Sequence, residues 1–278
     1  MTTTRFAPAP TGHLHLGHVV NALYVWETAR REGARVLLRI EDHDRQRSRP
    51  EYEASILDDL AWLGFVPDGE PVRQSERTTI YEAALQRLRD AGLTYACECS
   101  RREIADAGLS GRELRYPGTC ASKGLPETPD RAIRIRLPRS EESFDDMLVG
   151  PQQQVPSDQC GDLLARDRRG NWTYQFAVTV DDFEQVVDLV IRGLDLLPST
   201  GRQIQLARML GRAQQPRFMH HPLVMSTPEQ KLSKSDGATG IREFRRRGMR
   251  PQDVLEAARV RLKRVNYQLP TSNLQAES

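Results

Sequence analysis

The stretch Arg5-Phe-Ala-Pro-Ala-Pro-Thr-Gly-His-Leu-His-Leu-Gly-His18 decides how the rest of this chain is read. Residues Thr4 to Pro10 read as a short strand ending in a turn at Thr11-Gly12. Apolar residues then recur at helical spacing from Leu16 to Glu32, and Gly33 supplies a plausible C-terminal cap. Val36-Leu-Leu-Arg-Ile40 is a buried strand whose C-terminal end delivers Glu41 and Asp42. Strand, helix, strand in this order predicts an α/β fold with a parallel sheet. In such sheets ligands gather at the C-terminal strand ends, where helix N-termini point unpaired amides at anions. The segment Thr11 to His18 occupies that place.

Downstream, Ser48-Arg-Pro-Glu51 has the form of a capping box, starting a helix that runs to Gly64, and another helix is predicted from about Thr78 to Ala91. From Leu93 to Gln159 the texture changes. Cysteines, a small helix opened by Ser100-Arg-Arg-Glu103, proline-rich turns and the alternating Ala132-Ile-Arg-Ile-Arg-Leu137, read as a half-exposed strand, suggest an inserted subdomain. The α/β pattern resumes at Asp162 to Arg166 and Trp172 to Val180, then reaches an apolar strand from Val186 to Ile191 and a helix from Gln203 to Leu210. Pro251 opens a final helix. The expected divisions are 1–92, 93–159, 160–211 and 212–278.

The 278 residues leave room for a substantial core, and no apolar run is long enough to span a membrane. The N-terminus lacks the features of a secretory leader, so a cytoplasmic location is expected. The formal charge of +2 hides an asymmetry: residues 202–278 hold fifteen Lys and Arg against six Asp and Glu. A polyanionic partner or a solvated Arg-rich surface both fit that excess. Arg245, Arg246, Arg247, Arg259, Arg261, Lys263 and Arg264 are the candidate phosphate contacts.

Three of the six histidines fall between His13 and His18, and two of only four lysines fall within Lys231-Leu-Ser-Lys234-Ser235. Imidazoles in a first helical turn can donate to phosphate oxygens, and Gly17 lets a base or ribose approach the backbone. His15 and His18 could instead be metal ligands or plain capping residues, and Lys231 to Ser235 in isolation could be a polar surface loop. Neither a Walker-type phosphate loop nor a Gly-x-Gly-x-x-Gly run is present.

Taken together, HLGH and KLSKS resemble the HIGH and KMSKS signatures of class I aminoacyl-tRNA synthetases. Arg5 to Gly12, Leu38-Arg-Ile-Glu-Asp42, Val190 to Leu197, Ser199-Thr-Gly-Arg-Gln203 and His221-Pro-Leu-Val224 resemble the glutamyl branch of that class, so the likeness covers nearly the whole chain. Fewer than fifty residues follow KLSKS, where glutamyl-tRNA synthetases carry a large anticodon-binding region. The resemblance thus narrows to the glutamyl-queuosine tRNA(Asp) synthetases, truncated paralogues of that branch. It implies a Rossmann-like class I parallel sheet, with a zinc-bearing insert resembling an acceptor-binding subdomain and a short helical C-terminal segment. It also implies ATP-dependent, tRNA-independent activation of L-glutamate and its transfer to the queuosine base in the anticodon of tRNA(Asp).

By the same resemblance, His15, Gly17, His18, Lys231 and Lys234 are catalytic, with His15, His18 and Lys234 on ATP, which enters with Mg2+ as substrate. Arg5 and Arg192 would take carboxylate, Glu41 the ammonium, and Tyr174 would close the pocket, with Phe6, Ala7, Pro8 and Ala9 beside them. Ala9 departs from the family, which usually has serine there, leaving only its backbone to contribute. A truncated synthetase charging the tRNA 3′ end and a silent tRNA-binding paralogue are the alternatives. A monomer is the expected state.

Cys97-Glu-Cys99 and Tyr116-Pro-Gly-Thr-Cys120 offer four soft or oxygen ligands, enough to close one structural tetrahedral zinc site in an insert with little core. Three buried free thiols are the alternative. In the glutamyl-queuosine family this Cys-x-Cys and Tyr-x3-Cys pattern binds zinc. Cys160 lies outside the pattern and is expected to be a plain thiol.

Overall fold

The computed structural model describes residues 1–107, 113–223 and 240–263. The chain opens with β1 (Thr3–Phe6), α1 (Leu16–Glu32), β2 (Arg35–Ile40), α2 (Pro50–Leu63), β3 (Val72–Arg73) and α3 (Thr78–Asp90). The middle holds β4 (Thr94–Cys97), α4 (Arg101–Asp106), β5 (Ala132–Ile135), β6 (Glu142–Asp146), β7 (Gly150–Gln154), α5 (Pro156–Cys160) and β8 (Leu163–Arg166). Then come α6 (Tyr174–Glu184), β9 (Leu189–Gly193), α7 (Thr200–Met209), β10 (Arg217–His221), α8 (Ile241–Arg246) and α9 (Pro251–Lys263).

The main sheet has seven strands in the order β3-β2-β1-β9-β10-β6-β7, parallel except for the β6–β7 hairpin at its edge. The predicted parallel α/β sheet is therefore present. Sequence runs from β1 outward to β2 on one side, while β9 lies on the other side of β1. The crevice between the ends of β1 and β9 is the topological switch point, where ligands of such sheets bind. A second, antiparallel sheet has the order β4-β5-β8. Strand membership cuts across the expected segment 93–159: β6 and β7 belong to the main sheet, while β8 completes the small one.

Side chains alternate along each strand. Phe6, Leu38, Ile40, Leu189, Ile191 and Met219 face α1, α2 and α9, in a core that also holds Val20, Val25, Ile56 and Val254. Each such fully buried side chain contributes ~1.5–3 kcal/mol relative to exposure. Val190 and Phe218 point to the other face, where α7 supplies Ile204.

Local differences from the predicted elements have local causes. The helix expected from Ser48 starts at Pro50 with Arg49 as its N-cap and no side-chain cap; the Ser48 amide, which Glu51 would have to bond in a capping box, instead donates to the Asp44 carbonyl at 3.0 Å. The capping box at Ser100 and Glu103 does form. β9 begins at Leu189 rather than Val186, because residues 185–187 close the end of α6 and put Val186 at a φ of 51°. β5 is buried along its whole length rather than half-exposed.

A buried ionic brace joins β1, β2 and α6. Asp182 Oδ1 accepts from Arg5 Nε at 3.0 Å and from Arg39 Nη1 at 2.7 Å. Arg39 also lies 3.3 Å from Glu41 and 3.7 Å from Asp181. Asp181 in turn accepts from Gln74, Arg77 and Tyr81, so α6 is tied to α3 as well. Burial pushes the Asp182 carboxyl up, but the guanidiniums of Arg5 and Arg39 outweigh it and bring it down to about 2. A carboxylate depressed in the folded state stabilises the fold above its unfolded pKa of about 3.9, and that stability is lost as pH falls through the folded value. Asp182→Asn should destabilise by about 3–5 kcal/mol at pH 7, because it strands buried cations. The gap to wild type should narrow by about 2 kcal/mol between pH 5 and pH 2, measured by urea unfolding at each pH.

Candidate active site

The alternation that sends apolar residues toward α1 sends Arg39, Arg5, Arg192 and His220 to the opposite face, from the adjacent strands β2, β1, β9 and β10. Arg5 is held by Asp182 and by the Ile191 carbonyl at 3.2 Å. Arg192 donates from Nε to His220 Nε2 at 3.0 Å, from Nη1 to Gln203 Oε1 at 2.6 Å and from Nη2 to Thr200 Oγ1 at 2.9 Å. Burial is the main reason its pKa falls below the ordinary arginine value. Gln203 is oriented by Gln175, and Gln175 by Ser199, so the first turns of α6 and α7 are joined behind the guanidinium.

Glu41 follows β2, and its amide donates to the Pro8 carbonyl at 3.0 Å. Burial raises its pKa, against the pull of Arg39, His43 and Arg5. Tyr174, the first residue of α6, lies among Glu41, Arg192, Arg5 and Asp182; burial, with the Glu41 charge, pushes its phenol up to about 12. It therefore stays a neutral donor at physiological pH. The Ala9 carbonyl accepts the Thr11 amide at 2.8 Å, closing a turn over Pro10, while the Pro8 carbonyl takes the Glu41 amide, so this stretch of backbone runs beside Glu41. Phe6 does not share it: its side chain is on the other face of β1, in the core, with its ring 5.3 Å from Trp26.

The N-terminus of α1 stands beside the same turn. His15 is its N-cap, and its Nδ1 accepts the Gly17 amide at 3.1 Å. His18 Nδ1 accepts the His15 amide at 3.1 Å, and the two rings are 3.9 Å apart. With both Nδ1 atoms accepting, the proton of each neutral ring is on Nε2, the tautomer suited to donate to an anion. The first turn of α1 carries no acidic residue of its own, and the positive end of the helix dipole lies there. The capping reading of His15 and His18 is thus correct and compatible with anion binding. Lys231 and Lys234 lie outside the described residues.

In the small sheet, Cys97, Cys99 and Cys120 bring their sulfurs within 4.8 Å of one another, and these three could hold a metal. The Tyr116 hydroxyl is 3.4 Å from Cys97 Sγ and 3.9 Å from Cys99 Sγ. Arg134 donates from Nε to Cys97 Sγ at 3.4 Å and lies over the Tyr116 ring, 3.6 Å from its centroid. Gly161 is required here: a Cβ would stand 2.0 Å from the Tyr116 carbonyl oxygen, and its φ is 67°. Cys160 is buried and donates to the carbonyls of Pro156 and Gly161, the plain thiol expected.

Most of the basic residues proposed as phosphate contacts have acidic partners. Arg245 pairs with Asp58 and Asp59, Arg246 and Arg247 with Glu243, and Arg259 with Glu27. Among the described residues no helix is long and apolar enough to cross a membrane. Sequence reasoning missed Arg39, Asp182, Asp146 and His220 as members of the site. The signal was there: a charged residue within an apolar run, as in Leu38-Arg39-Ile40 or Ile191-Arg192, must find buried partners.

Residues 1–266 match the family described as tRNA synthetases class I (E and Q), catalytic domain. A Glutamyl-Q tRNA(Asp) synthetase from Burkholderia cenocepacia is 45% identical over 244 residues, covering 85% of this chain and 81% of that protein. A protein of the same name from Rhodobacter capsulatus is 39% identical over 273 residues, covering 90% and 97%. A crystal structure of a glutamate tRNA ligase from Elizabethkingia meningosepticum, in complex with its amino acid, matches with a TM-score of 0.73 at 31% identity. That match covers 85% of this chain and 52% of the ligase, so the chain spans about half of the longer protein. The chain belongs to the class I tRNA synthetases (E and Q), a ligase-type enzyme in the branch whose curated relatives are named Glutamyl-Q tRNA(Asp) synthetase.

Proposed function

We propose that this enzyme activates L-glutamate with ATP in the absence of tRNA and transfers it to the queuosine base in the anticodon of tRNA(Asp). The observation that carries the glutamate half is the meeting of Arg5, Arg192, Glu41 and Tyr174 at the switch point between β1 and β9. Two guanidiniums match two carboxylates, and one buried carboxylate matches one ammonium. The α-carboxylate attacks the α-phosphorus of ATP, the bond from that phosphorus to the bridging oxygen breaks, and pyrophosphate leaves with Mg2+. Positioning and charge neutralisation do most of this work. His15 and His18 donate from Nε2 to phosphate, Gly17 gives backbone access, Lys234 neutralises the departing pyrophosphate, and Lys231 assists. The names of the 45% and 39% identical relatives support queuosine of tRNA(Asp) as the acceptor.

Zinc fits the four donors Cys97, Cys99, Tyr116 and Cys120. A tetrahedron with Zn–S bonds of about 2.3 Å has edges of about 3.8 Å, close to the 3.5 Å between Cys99 and Cys120 and the Tyr116 spacings above. Bound there, zinc supplies a structural crosslink between β4 and the 116–120 turn. Arg134 donates to the Cys97 sulfur and packs over the Tyr116 ring, bracing two of the four donors.

Purified enzyme should catalyse glutamate-dependent ATP–pyrophosphate exchange without tRNA; no exchange with any amino acid would overturn the reading. After queuosine-bearing tRNA(Asp) is loaded with radioactive glutamate, nuclease digestion should leave the label on the anticodon fragment, whereas label on the 3′-terminal fragment would assign the terminal ribose instead. Glu41→Gln should raise KM for glutamate by about two orders of magnitude in the exchange assay, as expected when one partner of a buried charge pair is removed. Elemental analysis should find one zinc per chain, and its removal by chelator should lower the thermal midpoint; an unchanged midpoint would refute the structural role.

A further inference from the structure

Arg192 is held by an acceptor that is itself held. His220 follows Met219 on β10, and strand alternation turns its ring toward Arg192 on the adjacent β9, its registered partner. On the far side, Asp146 at the end of β6 reaches His220 Nδ1 with Oδ2 at 2.6 Å, and His220 and Asp146 side chains are both fully buried. The His220 amide also donates to Asp146, at 3.1 Å to Oδ2. Asp146 Oδ1 accepts the amides of Leu148 and Val149, at 3.0 and 3.1 Å, so the carboxylate cannot rotate away.

We propose that Asp146 and His220 are positioning residues for amino-acid activation, acting through Arg192. Asp146 accepts the Nδ1 proton of His220 and so keeps the Nε2 lone pair turned to the Nε–H of Arg192. An imidazole in the other tautomer, or protonated, would present a proton to that N–H and push the guanidinium out of line. Burial lowers the pKa of His220 and keeps it neutral, in agreement with this arrangement. Of the five N–H groups of a guanidinium, His220, Gln203 and Thr200 take three, one on each nitrogen. Two are left for Tyr174 and an incoming carboxylate. The plane of the guanidinium is thereby set before substrate arrives, so the N–H left beside Tyr174 is already aimed at an incoming carboxylate.

The inference rests on the glutamate reading of Arg192, and its test separates the two. His220→Phe removes the acceptor, and His220→Gln restores one in its Oε1 atom. In pyrophosphate exchange, His220→Phe should raise KM for glutamate tenfold or more while KM for ATP stays within twofold, and His220→Gln should recover most of the loss. Equal effects on both substrates, or no rescue by glutamine, would reduce the pair to a structural role and overturn the proposal. If wild type exchanges only with another amino acid, the glutamate reading fails, and the same KM comparison is made with that amino acid. Should His220→Phe not fold, 15N spectra of histidine-labelled wild type decide: the Nδ1–H tautomer of His220 at pH 7.5 is the expected result. An Nε2–H tautomer or an imidazolium there sinks the idea.

Discussion

Four cationic or polar side chains stand in a row across one face of a sheet whose other face is oil. Arg39, Arg5, Arg192 and His220 come from consecutive strands, and a guanidinium buried there without partners would cost several kcal/mol. The structure answers with carboxylates from two directions: Asp181 and Asp182 from α6, and Asp146 from the end of β6. That constraint fixes where α6 can sit, and α6 carries Tyr174 at its first residue. Fold and candidate site are therefore one arrangement: the ion pairs that dock the helix are the ones that fix the Arg5 guanidinium in place.

The row is not uniform, and its gradient has functional meaning. Arg39 is surrounded by Asp182, Asp181, Glu41 and Gln185, so its charge is spent within the protein. Arg192, by contrast, is held by neutral acceptors, the imidazole of His220, the amide of Gln203 and the hydroxyl of Thr200. Neutral partners fix its orientation without cancelling its charge, which leaves that charge for an anionic ligand. Glu41 is the mirror case: burial raises its pKa, and an incoming ammonium would relieve it.

The cysteine cluster follows a different logic. The three-stranded sheet buries few apolar residues around Cys97, Cys120, Tyr95 and Tyr116. Hydrogen bonds converge instead on the Tyr116 hydroxyl and the sulfurs, including the Cys120 amide donating to Tyr116 at 2.9 Å. A small layer with a thin core gains most from a crosslink.

Much of this was legible in the sequence because it depends on local periodicity and local chemistry. The β1-α1-β2 order, the Gly33 cap at a φ of 59° and the capping box at Ser100 all follow from neighbours in the chain, whereas the grouping of Cys120 with Cys97 and Cys99 was expected from the family resemblance. Local motif also overreached: Ser48 has the residues of a cap but a backbone already committed to Asp44, and Phe6 adjoins Arg5 in sequence yet faces away from it. What the sequence by itself determined was which residues could bind anions and where strands would end. Only the tertiary structure decided which carboxylate neutralises which arginine, because Asp182 lies 177 residues from Arg5 and Asp146 lies 74 from His220. Such pairings are set by strand order and helix docking, which bring distant residues together with no trace in local spacing.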